Sequence, residues 1–318
     1  MAIAKSYLND WKINENFMVK LRTLGNIQEI SYCSRRNYVR HIRWLSKDLY
    51  INDKTGEVNE IHHINNRSEN LLEFSQSQKR LRDLINCNVI RPNEWKWITL
   101  TYAKNMTDTK QLYKDYQKFW QRFQYRFGKD TKYIIACEPQ ARGAWHIHAL
   151  IGFGKVAPFI PNETIEELWQ HGFTKTNALN DIDNVGAYLT AYLGDIEVND
   201  ENIHELQERG CKIPKKAIIK HDFNIDIKKV NIDGTEKKFI KGGRLYMYPP
   251  KFNMYRSSRG LNKPIEERMP YYDAKKRVGT QEPTYQSCIQ IQDLDNEFEN
   301  LYYYEYYNTL RNKSNTND

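Results

Sequence analysis

Polar and apolar side chains alternate most strictly over Trp145 to Phe153, and that alternation predicts a β-strand. Successive side chains of a strand point to opposite faces, so His146 and His148 share one face while Trp145, Ile147, Ala149 and Ile151 take the other. The apolar run Tyr133 to Cys137 predicts the preceding strand and ends at Glu138; the stretch from Pro139 to Ala144 supplies turn residues. If the two strands form a hairpin, Glu138 sits across from His146. Trp95 to Thr101 is another alternating strand, with Trp95, Trp97, Thr99 and Thr101 on one face and Ile98 and Leu100 on the other.

Helical spacing governs the stretches between. Leu112, Tyr116, Phe119, Trp120, Phe123 and Phe127 recur along a helix over Lys110 to Phe127, with Thr107 or Asp108 as its cap and Gly128 as its stop. Thr164 to His171 is a short helix, Phe173 to Ala178 a strand, and Asp183 to Asp195 a helix capped by Asp183. The order strand, helix, strand, strand, helix, strand, helix predicts an α+β fold, a mostly antiparallel central sheet with flanking helices.

Outside this stretch the patterns change. Residues 1–90 read as a basic helical region. Ser31 to Asp48 carries Arg35, Arg36, Arg40, Arg43 and Lys47 among aromatic and aliphatic residues, a helix that either tracks DNA phosphates or is a solvated face. Ser75 to Asn88 is a second helix. Residues 201–311 form a mixed extension: an acidic helix over Glu197 to Glu208, a basic run from Cys211 to His221, a hairpin over Asn224 to Phe239, a helix over Ile265 to Arg277, and strands at Thr284 to Asp293 and Asn300 to Asn308. Residues 312–318 read as a disordered tail. The expected division is therefore 1–90, a core at 91–200, 201–311 and the tail.

Composition narrows the partner. The chain has 318 residues, a formal charge of +8 and 22 tyrosines, which suits a nucleic-acid partner. Five scattered cysteines without a Cys-x-x-Cys spacing read as reduced thiols of a cytoplasm. No apolar run approaches membrane-spanning length and no signal-peptide core opens the chain, so no membrane partner is expected.

Two groups of residues carry candidate chemistry. His146 and His148 are either ordinary polar strand residues or, with Glu138, a carboxylate–imidazole–imidazole set for a cation. Tyr188 and Tyr192 lie one helical turn apart on one face, either as packed core or as a pair of hydroxyl groups presented together.

Taken together, these features resemble the HUH endonucleases, the rolling-circle replication initiators of phages and plasmids. Trp97-Ile98-Thr99-Leu100-Thr101 matches the family's first motif, an apolar strand rich in threonine. His146-Ile147-His148 matches its His-hydrophobic-His motif, and Tyr188 with Tyr192 its Tyr-x-x-x-Tyr helix. Glu138 stands where several relatives keep a third metal ligand. The resemblance covers about residues 93–198 and is closest to the two-tyrosine, gene II-like initiators. It implies that Glu138, His146 and His148 hold a divalent metal, Mg2+ or Mn2+, and that Tyr188 and Tyr192 are the catalytic nucleophiles. It further implies a 5′-phosphotyrosine link with a free 3′-hydroxyl, a substrate of single-stranded or hairpin origin DNA, work alongside a host helicase and DNA polymerase, and a site of action in the bacterial cytoplasm.

Many relatives place a lysine one turn after the nucleophilic tyrosine. Here Leu193, Gly194 and Asp195 follow Tyr192, so either Lys175 or a basic residue from the C-terminal part substitutes, or activation rests on the metal alone. Further DNA contacts are expected from Arg142 and from Arg244, Lys251, Arg256 and Arg259, which are interleaved with Tyr246, Tyr248 and Tyr255. A relaxase or transposase shares the same chemistry. From another class, a DNA-binding regulator of replication or transcription keeps the fold without cutting, and has no need of the complete set of five residues.

Overall fold

The computed structural model describes residues 3–35, 41–65, 67, 70–140, 142–179, 182–190, 193–198, 227–232, 235–240, 243–293 and 298–313. Two units emerge from the chain's internal contacts, one built from residues 64–262 and the other from 1–63 together with 263–318.

The N-terminal segment is strand where the sequence predicts helix. It runs through β1 (Ile3–Tyr7), β2 (Met18–Leu24), β3 (Ile27–Cys33), β4 (Ile42–Trp44), β5 (Leu49–Asn52) and β6 (Val58–Glu60). Leu24 pairs with Ile27 around the two residues Gly25 and Asn26, which makes β2 and β3 a tight hairpin. Val19, Leu21, Leu24, Ile27 and Ile30 are buried in it. The arginines of the 31–48 stretch, interleaved with aromatic residues, imitate an amphipathic helix. Tyr32, Ile42 and Trp44 instead follow their β preference, and residues 36–40 lie outside the described set.

In the 64–262 unit, α1 (Leu71–Asn88) starts at Asn70, whose side chain accepts from the Glu73 amide at 3.0 Å. β7 (Trp95–Thr101) leads into α2 (Thr109–Phe127), where Asp108 accepts from the Lys110 and Gln111 amides and Gly128 closes the helix. Then come β8 (Lys132–Pro139), β9 (Trp145–Gly152), α3 (Asn162–Trp169), β10 (Thr174–Asn177) and α4 (Val185–Thr190). β11 (Ile196–Val198), β12 (Ile227–Ile232) and β13 (Thr235–Ile240) form a small antiparallel sheet, and β14 (Tyr255–Ser257) ends the unit's strands.

Five strands make the central sheet in the order β10-β7-β9-β8-β14, every pair antiparallel. Ile98, Leu100, Ile135, Cys137 and Ile147 fall on one face, together with Tyr133, whose ring is met by Tyr116 and Trp120 of α2. The other face carries Trp97, Thr99, Thr101, Glu138, His146 and His148. Leu245, Tyr248, Phe252 and Met254, from far downstream, belong to the same buried core as these strands.

α4 lies against α1. A Cβ on Gly186 would come within 2.4 Å of Asn86 Oδ1 and 2.8 Å of the Arg82 carbonyl oxygen, so only glycine permits this approach. Arg82 Nε donates to Thr190 Oγ1 at 3.1 Å from the α1 side. The cap of α4 is Asn184, which accepts from the Ala187 amide at 2.8 Å, in place of the expected Asp183. The described helix ends at Thr190, earlier than the sequence predicts, and Leu193 and Gly194 form a turn.

The chain returns to the other unit through β15 (Ile265–Pro270), a helix over Tyr271–Val278, β16 (Tyr285–Asp293), β17 (Phe298–Asn308) and a helix over Thr309–Lys313. The sheet order is β1-β16-β17-β3-β2-β15. The helix expected over Ile265 to Arg277 is strand in its first half, because Pro270 lacks the amide that a continuous helix needs there. Alternation along β17 buries Tyr303, Glu305 and Tyr307 together, with both tyrosine hydroxyls donating to Glu305 at 2.7 Å. These tyrosines are core residues. The expected hairpin at 224–239 is present as β12 and β13. Of the expected acidic helix, Glu197 and Val198 are strand; its remainder, the basic run 211–221 and residues 314–318 fall outside the described residues. Among the described residues no helix is long and apolar enough to cross a membrane.

Candidate active site

Register builds the site. Glu138 pairs directly with His146 across the β8–β9 hairpin, and His148 lies two residues further along β9 on the same face. Both imidazoles turn their Nε2 atoms to a single oxygen, Glu138 Oε2, at 2.9 Å from His146 and 3.3 Å from His148. The ligand atoms of the three residues lie within 4.8 Å of one another. Two imidazole nitrogens and a carboxylate oxygen are donors suited to a divalent cation, and such separations let one ion touch all three.

Glu138 is only 5% exposed, so its charge needs partners. Its other oxygen has two. Arg244 Nη1 stands 2.8 Å from Oε1, and the Gly194 amide donates to the same atom at 2.9 Å. Burial pushes the Glu138 carboxyl up, but hydrogen bonds from the two histidines and the Arg244 charge outweigh it and hold the group well below its ordinary range. For His146, burial dominates and lowers its pKa despite the carboxylate beside it. The imidazole is therefore neutral at neutral pH, and with its proton on Nδ1 it would offer the Nε2 lone pair to a cation. Thr99 Oγ1 lies 3.4 Å from His148 Nδ1, on the ring edge away from Glu138, and so helps orient that ring.

Gly194 ties this carboxylate to the segment that follows α4. It adopts φ +84°, and a Cβ there would sit 2.7 Å from the Phe74 ring of α1. Its carbonyl accepts from the Arg244 amide at 2.9 Å, while Gln78 of α1 donates to the Leu193 carbonyl at 2.7 Å. Three separate stretches of chain therefore meet at one carboxylate.

Tyr188 of α4 reaches the site face of the sheet through Trp97. Its ring meets Trp97 edge-on at 5.5 Å, and the Trp97 ring lies 5.7 Å from that of His148. Tyr188 is 51% exposed, which is more than a packed core residue shows. Trp97 Nε1 is buried with no hydrogen-bond partner among the described residues. Tyr192 lies outside the described residues.

The expected basic residues separate into groups. Lys175 pairs with Thr99, and Thr99 with His148, so Lys175 shares the site face, exposed and two strands from His148. Arg244 reaches the site itself, a C-terminal cation at the carboxylate. Arg142 is turned to the backbone at the end of β7, donating to the Tyr102 carbonyl at 2.5 Å and the Ala103 carbonyl at 3.4 Å. Lys251 is exposed in a turn. Arg256 pairs with Ile135 and so falls on the opposite face of the sheet, where Arg259 joins it around a cleft. The contacts of Glu138 with Gly194 and Arg244 join residues distant in sequence, and no local spacing announces them. The pairing of Thr99 with His148 follows from alternation once β7 is set beside β9.

Residues 95–197 match a family of replication-associated proteins, the ORF2 and gene II protein family. The matched segment runs from the first residue of β7 into β11 and contains Glu138, His146, His148 and Tyr188. It points to a role in replication initiation, consistent with a gene II-like rolling-circle protein. No curated protein and no solved structure matches the chain significantly.

Proposed function

We propose that this protein initiates rolling-circle replication by cutting one strand of origin DNA through tyrosine attack and later rejoining the ends. The observation that carries the reading is the convergence of His146 and His148 on one oxygen of Glu138, with Tyr188 presented on the same face. A divalent cation held by Glu138 Oε2 and the two Nε2 atoms, magnesium or manganese, would relieve charge at the scissile phosphate.

The residues around it have distinct tasks. Arg244 and the Gly194 amide hold the second oxygen of Glu138 and fix the plane of the carboxylate. Lys175 is available to a phosphate passing over β10, and the unpartnered Trp97 Nε1 is a donor beside the tyrosine. The phenolic oxygen of Tyr188 or Tyr192 bonds to phosphorus as it loses its proton. The P–O3′ bond breaks, and the departing oxygen takes up a proton as the free 3′-hydroxyl. The bond energy stays in the phosphotyrosine, so the reverse reaction reseals the strand without a nucleotide cofactor. With a second tyrosine four residues on in the sequence, one can open the cycle and the other can attack the newly made junction.

The substrate in this reading is single-stranded or hairpin origin DNA in a bacterial cytoplasm, with a host helicase and polymerase extending the 3′ end. The test is a denaturing gel of full-length protein with origin-like single-stranded oligonucleotides and manganese. A slow, SDS-resistant band that is lost with EDTA and in the Tyr188→Phe/Tyr192→Phe variant is expected. Tight DNA binding with no adduct on any substrate would favour the non-cutting regulator.

A further inference from the structure

On the face of the sheet opposite Glu138, a cleft of about 590 Å³ opens between α2, the start of β8 and β14. Five cations line it: Lys114, Lys129, Lys132, Arg256 and Arg259, all exposed, and no carboxylate is among the lining residues. Five lining cations, against the one exposed carboxylate beside them in sequence, Asp130, raise the potential of a concave surface and favour an anionic ligand. The walls are aromatic. Tyr113, Trp120 and Tyr133 are half-buried in them, the Arg256 guanidinium lies over the Tyr113 ring at 3.4 Å, and Trp120 meets Tyr133 edge-on at 4.7 Å. At its floor the buried Tyr116 has a hydroxyl with no partner among the described residues.

We infer that this cleft is a second DNA site, which grips single-stranded DNA away from the point of cutting. Lysines and arginines without aromatic walls would suit any polyanion, a duplex included. A duplex keeps its bases stacked inside and has no use for recessed rings, whereas an unpaired strand offers both phosphates and base faces. The volume accommodates a short piece of strand. Placement adds to the argument. Tyr133 and Glu138 are on opposite faces of β8 and roughly 17 Å apart along it, and β14, which lines the cleft, is an edge strand around which a strand filling both sites can pass. The cleft then keeps hold of the template while the ends at Glu138 are cut and exchanged. The inference needs strand binding alone and does not depend on cutting.

The test uses the full chain in EDTA and labelled oligo(dT), read by fluorescence anisotropy over a range of salt. Lys132→Glu/Arg259→Glu removes two cations from the cleft; Lys118→Glu/Lys155→Glu makes the same charge change at exposed positions outside it. The cleft pair is expected to weaken binding about tenfold and to reduce the salt slope by about 1.4, the loss of two phosphate contacts. The outside pair is expected to do little. Unchanged binding in the cleft pair, or an equal loss in the outside pair, would overturn the site. Binding of dTMP as tight as that of the oligonucleotide would make it a nucleotide pocket and overturn the strand reading, and tighter binding of oligo(rU) would overturn the assignment to DNA. An unaltered circular-dichroism spectrum and melting temperature of the cleft pair check that the fold is intact. Failure of the adduct assay with a positive result here would remove the nicking reaction and leave the cleft.

Discussion

Arg244 holds the oxygen of Glu138 that His146 and His148 leave free, at 2.8 Å. A ligand carboxylate clamped on its far side keeps its near oxygen aimed. Partners of this kind typically contribute about 10- to 100-fold to metal affinity. Arg244→Ala is therefore expected to weaken manganese binding about tenfold by calorimetry, since the Gly194 amide still holds part of the carboxylate. Arg244→Lys should recover some of the loss but not all, because one ammonium cannot copy the guanidinium fork. Tighter metal binding in Arg244→Ala would mean that charge repulsion toward the cation outweighs orientation.

Tyr188→Phe separates packing from chemistry. The ring contact with Trp97 survives the change, and the half-exposed side chain spends little of its surface on the core, so the melting temperature should stay close to that of the parent. Adduct formation should fall if Tyr188 opens the cycle. A large drop in stability would return Tyr188 to the status of a core residue.

Gly186→Ala attacks the placement of the tyrosine helix. The new methyl group cannot fit against the Arg82 carbonyl, so α4 must move away from α1, at a cost of about 1–3 kcal/mol. Manganese binding, if held by the residues of β8 and β9, should persist while adduct formation falls. Equal loss of both would show that the helix and the carboxylate move together.

The pH profile should have two limbs. His146 and Glu138 are both held below their ordinary values of 6.5 and 4.5. Groups lowered in the fold contribute stability above those values and lose it as pH falls through the lowered ones. Manganese affinity should thus be level at neutral pH and decline only below about 6.5, as His146 protonates. On the alkaline side the shifts reverse sign. Burial pushes the Cys137 thiol up from 9.0 to about 12 and raises Tyr102, Tyr116 and Tyr248 above 10.0. Their contribution is complete below the ordinary values and is lost as pH rises through the raised ones. Chemical denaturation at stepped pH checks both limbs, and a midpoint that held steady well above pH 10 would contradict the second.

The parts of the molecule legible in sequence are those fixed by neighbours along the chain. β9 alternates, Asp108 and Gly128 bound α2, and the Glu138–His146 pairing follows from a short hairpin. The Arg244–Glu138 contact is not legible, because it depends on how a late segment folds back onto β8. The N-terminal strands are hidden for a different reason. Arginine next to Tyr32, Ile42 and Trp44 fits a helical face as well as a strand, and only cross-strand pairing decides between them. The buried positions of Met18 to Leu24 and the Gly25-Asn26 turn are the signals that sequence does offer there.

The late return of the chain also bears on how the protein can be divided. β14 covers the free side of β8, Tyr248 Oη donates to the Cys137 carbonyl at 3.0 Å, and Phe252 lies 4.7 Å from the Trp145 ring. A fragment cut to the matched residues would carry every ligand of the candidate cation and still leave an open seam along its sheet. Where such a cut can fall is set by who fills the core rather than by who bears the motifs, and the unit that holds both runs from residue 64 to residue 262.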